Sequence, residues 1–172
     1  MALEIVDALV IIFQHSIDSG RVPVDWTVAN VTPLFKKGGR EKTGNYRPVS
    51  LTPVVGKMLE SIIKDAITEL LESSDRIGPS QHGFIKGKSF LTNLLEFFEV
   101  VTSRVDRGEP VDIVYLDFQK AFDKVPHKRL VSKIKVHGIG GNVLTWIENW
   151  LADRKQRVGI NRSFSEWQAV SG

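Results

Sequence analysis

Cysteine is absent from the 172-residue sequence, which excludes a disulfide framework and thiolate metal sites. Long apolar runs are absent too. The longest near the start, Ala8 to Phe13, is far short of the roughly 20 residues a membrane-spanning helix needs. Acidic Glu4 and Asp7 precede it, where a signal peptide wants a basic start, so no targeting segment is read. There is no internal repeat and no low-complexity tract. Neither charge sign dominates: the formal net charge is +3 and the pI about 9.2. That mild excess permits an anionic partner without demanding one. What is present is ordinary globular composition, 42% hydrophobic and 25% charged. The length suits one domain, or a large piece of one, and can bury a core.

Leu3, Val6, Val10, Phe13 and Ile17 recur at helical spacing, and Gly20 follows as a stop. Pro23 breaks the pattern. Val28 to Phe35 is β-branched, alternates in part and predicts a strand. Lys36 to Arg47 is polar, basic and glycine-bearing, and reads as an exposed loop. Thr52-Pro53 suits the start of a helix. Apolar pairs then repeat every four residues from Val54/Val55 to Leu70/Leu71, giving one face on a long helix. Gly78-Pro79 ends that region. Ser89 caps a further helix with Leu91, Leu94, Leu95, Phe98, Val101 and Val105 on one face, and Arg107-Gly108 closes it. Val111 to Leu116 reads as a buried strand that delivers Asp117 to its carboxyl end. Lys128 to His137 and the stretch from Val143 to Leu151 read as helices. Arg157 to Ile160 and Trp167 to Val170 read as strands, as in a hairpin. The last residues follow a candidate strand directly, with no polar tail or capping element.

The chemically informative stretch runs from Tyr115 to His127, YLDFQKAFDKVPH. An apolar strand delivers a carboxylate, a turn follows, and basic residues come next. Such an arrangement can hold a hard divalent cation beside a phosphate, because Mg²⁺ takes few protein carboxylates and completes its shell with phosphate oxygens. A plainer reading is open: Asp is common near turns, and Asp117 then simply ends its strand. Asp123 equally suits a turn cap or a pairing with Lys120 or Lys124.

This stretch resembles motif A of reverse transcriptases, in the form found in non-LTR retrotransposons of the jockey and chicken-repeat type. Other boxes share the resemblance: NYRPVSL at Asn45–Leu51, QHGFIKGKS at Gln81–Ser89, then VPHKRL, GIGG, the Trp146–Trp150 helix, QRVGINR and WQAVSG, in the family's order. The match runs from about Pro23 to Gly172. It implies an α+β chain comprising the fingers and the first half of the palm of a right-hand polymerase, truncated before motif B. The division expected is an N-terminal helix over 1–22, a fingers region over 23–110 and a partial palm over 111–172, with Asp117 at the centre of a small antiparallel sheet.

The resemblance also implies roles. Asp117 is the first metal-binding aspartate, helped by the backbone carbonyl of Phe118. Phe122 lies under the sugar of the incoming deoxynucleotide, where a bulky ring rejects a 2′-hydroxyl; read alone, it is a core phenylalanine. Arg47 and Lys36 reach the triphosphate, with Lys37 able to stand in for Lys36. Gln81, Gly83, Lys86 and Lys88 lie along the template, although the same residues suit a simple turn. The implied cofactor is Mg²⁺, two ions in the complete enzyme. The implied partners are an RNA template, a DNA primer and deoxynucleoside triphosphates, with no membrane. Lys120, Lys124, Lys128, Arg129, Lys133 and Lys135 suit duplex phosphates or a solvated face. Trp146 and Trp150, four apart, suit core packing rather than base stacking.

The family's second carboxylate box, an aromatic-Ala-Asp-Asp hairpin, has no counterpart, since no Asp-Asp pair occurs in the sequence. Ser171-Gly172 match the opening of motif B. The C-terminal palm and the thumb are missing from the resemblance. The expectation is a polymerase piece that is inactive by itself; a nucleic-acid-binding remnant and an inert relic of a mobile element are the alternatives. The family's work on chromosomal DNA implies the nucleus, but no strong basic import signal is present, so nucleus and cytoplasm both stay open.

Overall fold

Two tryptophans four residues apart organise the larger part of the molecule. The computed structural model describes residues 2–118 and 124–170. It divides into two units: Met1–Thr68 with Phe122–Gly172, and Glu69–Ala121.

In the first unit, helix α1 (Ala2–Ser19) packs on helix α5 (Gly141–Leu151). Trp146 and Trp150 stack at 5.1 Å with planes 13° apart. With Trp26, Leu59 and Ile147 they form the buried core, so the core-packing expectation for both holds. Trp146 is 1% exposed. Its indole N–H donates to the buried Ser16 hydroxyl at 2.9 Å, and that hydroxyl donates to the Arg21 carbonyl at 2.6 Å. A buried polar group needs such partners, and here they bind α1 to α5. Gly20 ends α1 at φ +65, and a Cβ there would lie 2.8 Å from the Thr145 methyl. Glycine is thus required both for the left-handed turn and for the approach of α1 to α5.

Helix α2 (Val54–Ser73) enters the same core through Gly56 and Leu59, and helix α4 (His127–Val136) packs on α5. The sheet is mixed. Strand β1 (Val28–Phe35) pairs antiparallel with β2 (Tyr46–Leu51) and parallel with β3 (Lys155–Ile160). Short strands β4 (Ser163–Phe164) and β5 (Gln168–Ala169) both pair antiparallel with β3. The β3–β4 turn is Asn161-Arg162, both with positive φ, as a two-residue type I′ hairpin demands. Ala29 and Val31 are buried, so the odd positions of β1 face the core.

Prolines explain how β1 and β2 pair. Pro33 stands opposite Pro48, and the Lys36 N–H donates to the Asn45 carbonyl at 2.8 Å. Counting back from that bonded pair, 33↔48 is a non-hydrogen-bonded pair, so neither missing N–H is wanted between the two strands. The β1–β3 register ends at Val31↔Val158, and β2 is an edge strand. Neither proline breaks a ladder.

In the second unit, helix α3 (Phe90–Asp106) begins at a capping box. Ser89 Oγ accepts from the Thr92 N–H at 3.2 Å, and Thr92 Oγ1 accepts from the Ser89 N–H at 2.8 Å. The cap expected at Ser89 is therefore present. The helix closes through Arg107 and Gly108 (φ +72), where Glu109 pairs with Arg104 and Arg107. The chain then runs back along α3 as irregular backbone to Phe118, with Tyr115 against Phe97 at 6.1 Å.

Two expectations need correction. Residues 111–116 are not a buried strand: no sheet partner is found for them among the described residues, and Leu116 is 82% exposed. The five-stranded sheet is mixed rather than antiparallel, and Asp117 is not on it. An apolar run becomes a buried strand only when neighbouring strands take its backbone groups and a layer covers its side chains. Here α3 supplies part of a cover, and among the described residues no strand supplies a ladder. The mixed α and β content stands as expected.

Candidate nucleic-acid interface

The β1–β2 hairpin positions the first pair of candidate residues. Arg47 lies on β2, opposite Leu34. Lys36 lies two residues beyond Leu34, so the pleat brings Lys36 and Arg47 to one face, as diagonal neighbours. Both are exposed. Lys37 begins the bend and leaves the pleat. The connecting loop is shorter than the sequence suggests, because Tyr46 and Arg47 belong to β2. It is also well braced. The Asn45 amide donates to the Gly39 carbonyl at 2.8 Å, the Tyr46 hydroxyl donates to the Arg40 carbonyl at 2.8 Å, and Arg40 covers Phe35 at 4.7 Å.

The same sheet face carries a further cation, Arg157. Arg157 on β3 stands opposite Asn30, and its Nε donates to the Asn30 side chain at 2.8 Å. Its guanidinium sits over Phe164 at 4.1 Å and Trp167 at 4.6 Å. The residue joins three strands by packing and hydrogen bonding. Arg154 also packs on an aromatic ring. It covers Trp150 at 4.6 Å and donates to the Trp150 carbonyl, and burial lowers its pKa from the ordinary arginine value.

The second unit holds the remaining candidates. Gln81, Gly83 and Lys86 are exposed in the loop before α3. The Gln81 amide donates to the Gly83 carbonyl at 3.0 Å. A Cβ on Gly83 would touch only Gln81, at an ordinary 3.7 Å, so nothing in the protein itself demands glycine there. The Lys88 ammonium donates to the Pro79 carbonyl, which commits one of its three donors to bracing the loop. His82 was not singled out by the sequence, yet it anchors this loop. Its side chain is 7% exposed, and its ring nitrogens lie 2.9 Å from Thr92 Oγ1 and 2.6 Å from Glu96 Oε2. The hydrogen bond to His82 is the main cause holding the Glu96 carboxyl below the usual glutamate value; burial opposes it, and Lys88 and Ser80 assist. The one signal in the sequence is that Thr92 and Glu96 lie four apart on α3, hence on one side of it.

Asp117 and Phe118 are exposed at the end of the irregular segment whose Tyr115 ring lies against Phe97 of α3. Beside that segment runs a groove of about 520 Å³, lined by α3 from Asn93 to Arg104 and by Pro110 to Val114. A carboxylate and the adjacent carbonyl are hard oxygen donors and suit part of a divalent-cation site. They do not make a complete one: no group of three or more His, Asp or Glu that could hold a metal is present among the described residues. Phe122, Lys120 and Asp123 lie outside the described residues, as do Ser171 and Gly172. No helix among the described residues is long and apolar enough to cross a membrane.

Residues 35–171 match the family model "Reverse transcriptase (RNA-dependent DNA polymerase)". The chain belongs to the reverse transcriptase family. Lys36, strand β2, the loop before α3 and Asp117 all fall within the matched span, while α1 and all of β1 but Phe35 lie ahead of it. Relatives include a retrovirus-related Pol polyprotein from the type-1 retrotransposable element R2 of Popillia japonica. It is 28% identical over 141 residues, 82% of this chain and 19% of the relative. An RNA-directed DNA polymerase from mobile element jockey of Drosophila funebris is 31% identical over 74% of this chain and 14% of its own length. A probable RNA-directed DNA polymerase from transposon BS of Drosophila melanogaster is 27% identical over 83% of this chain and 16% of its own. The chain thus spans about a fifth or less of these relatives, and the expected kinship with non-LTR elements holds. The family implies a nucleic-acid template, nucleotide substrates and a divalent metal.

Proposed function

We propose that this reverse transcriptase chain forms the fingers (23–110) and the front of the palm (111–172) of an RNA-directed DNA polymerase from a non-LTR retrotransposon, with 1–22 as an accessory helix. Lys36 and Arg47 take the triphosphate of the incoming deoxynucleotide; Gln81, Gly83, Lys86 and Lys88 follow the RNA template; Asp117 and the Phe118 carbonyl take Mg²⁺; Phe122 screens the sugar. The observation that carries the reading is the shared face of Lys36 and Arg47, both inside the family match, on a braced hairpin. A planar guanidinium fork beside a mobile ammonium suits a polyphosphate. Bound metal supplies charge stabilisation at the attacking and leaving oxygens. The chain's own residues hold the nucleotide and the template, and Asp117 offers one carboxylate.

The test compares this chain with one lengthened through motif B, the Asp-Asp hairpin and the thumb. Each receives an RNA template, a DNA primer, deoxynucleotides and Mg²⁺. Extension by the longer protein only, abolished by Asp117→Asn, supports the reading. Extension by the 172-residue chain itself, or by the longer Asp117→Asn variant, refutes it. A non-catalytic nucleic-acid-binding piece is the second reading, favoured by the exposed cations Lys36, Arg47 and Lys86. It predicts salt-sensitive binding with no extension from either protein.

A further inference from the structure

We propose that His82 is a positioning residue that clamps the Gln81–Lys88 loop onto α3 and so sets the template surface. The inference rests on the reading of that loop as a template contact. The clamp itself rests on geometry within one unit. The His82 ring is buried while the residues on either side, Gln81 and Gly83, are exposed. One ring nitrogen reaches Glu96, and Glu96 is a carboxylate that can only accept, so Nε2 carries the proton. The other reaches Thr92 Oγ1, the hydroxyl that also completes the helix cap.

The Thr92 hydroxyl has one proton and two places to put it. It can donate to His82 Nδ1, or to the Ser89 carbonyl at 2.8 Å while accepting from a protonated Nδ1. The Ser89 carbonyl loses little in the first case, because it also accepts the Asn93 N–H at 3.1 Å. Rotation of one hydroxyl therefore lets Thr92 meet His82 Nδ1 as donor or as acceptor. The groups facing the ring are Thr92 and Glu96 from α3; Lys88 and Ser80, from the loop, act on Glu96. The loop hangs from the helix start at two linked points, the cap and the ring. Lys88 ties its end back to Pro79. Losing the ring frees the segment that carries Gln81, Gly83 and Lys86, without touching the tryptophan core.

The test uses the full chain and the variants His82→Phe, His82→Gln and Lys86→Ala. Amide hydrogen exchange is read over residues 80–88, fluorescence anisotropy gives the Kd for a labelled single-stranded RNA, and tryptophan fluorescence reports unfolding. The expected result for His82→Phe is faster exchange in the loop and about tenfold weaker RNA binding, with the core's unfolding midpoint unchanged. His82→Gln, whose amide can still donate to Glu96, recovers most of the affinity. Unchanged exchange in His82→Phe overturns the clamp. Faster exchange with unchanged RNA affinity, while Lys86→Ala weakens binding, overturns the positioning role and leaves the template reading intact. If Lys86→Ala has no effect either, the template reading fails and the positioning role fails with it.

Discussion

Ser16→Ala tests whether α1, which precedes the family match, is an integral part of the fold. The Ser16 hydroxyl is the acceptor for the buried Trp146 N–H and the donor to the Arg21 carbonyl. Alanine removes both bonds and leaves the indole N–H without a partner at a site 1% exposed. An orphaned buried donor costs about 1–3 kcal/mol. For a chain of this size each kcal/mol lowers the thermal midpoint by roughly 2–4 °C. All four tryptophans, Trp26, Trp146, Trp150 and Trp167, lie in the first unit, so their fluorescence in a urea titration reads it directly. Trp146→Phe removes the donor as well as the ring volume. The double variant should therefore be more stable than the sum of the single losses implies, by about 1 kcal/mol. A Ser16→Ala variant within about 0.5 kcal/mol of wild type, or strict additivity with Trp146→Phe, would refute the claim that this bond fixes α1 on α5.

Arg47→Ala in the lengthened polymerase should raise the KM for deoxynucleotides by about tenfold to a hundredfold, the loss of a charge-assisted hydrogen bond, with little change in RNA affinity; steady-state extension kinetics check this. Arg157→Ala should destabilise the first unit by about 1–2 kcal/mol, through the lost Asn30 bond and the bared rings of Phe164 and Trp167, and Arg157→Lys should recover only part of that; urea titration distinguishes them. Because the Glu96 carboxyl is held below its ordinary value, the order it gives the loop is complete above the usual glutamate range. That order is lost as pH falls through the lowered value. Loop amide resonances followed into acid should therefore report one transition that Glu96→Gln removes.

The legibility of this chain follows the range of the interactions. Strand β1 was readable to its ends because β-branched alternation is a local signal. The Ser89 cap was readable because its partner is three residues away. Trp146 and Trp150 were readable as core because their spacing sets one helix face toward the protein. Strand β2 was partly hidden by Pro48 and by a glycine-bearing polar loop that ran on into Tyr46 and Arg47. Only the register with Pro33 shows why that proline is harmless. The role of Arg157 shows only in the parallel β1–β3 pairing that brings Asn30 beside it. His82 was invisible for the same reason, since its partners come from a helix that begins eight residues later.

Asp117 shows the opposite imbalance. Its residue type and its apolar lead-in carry a strong local message, yet the segment from Val111 to Phe118 has no sheet partner among the described residues and stays largely exposed. Local pattern can say that a strand is wanted; it cannot supply the neighbours whose backbone groups make one. The same holds for the metal. One carboxylate and one carbonyl are what a single strand end can offer, while two ions need ligands that converge from several elements. The chain spans at most about a fifth of the relatives considered. On the proposed function, strand pairing and metal binding are completed by the same further elements of the polymerase. Lengthening the chain should then order residues 111–118 and create activity together, and ordering without Mg²⁺-dependent extension would separate the two.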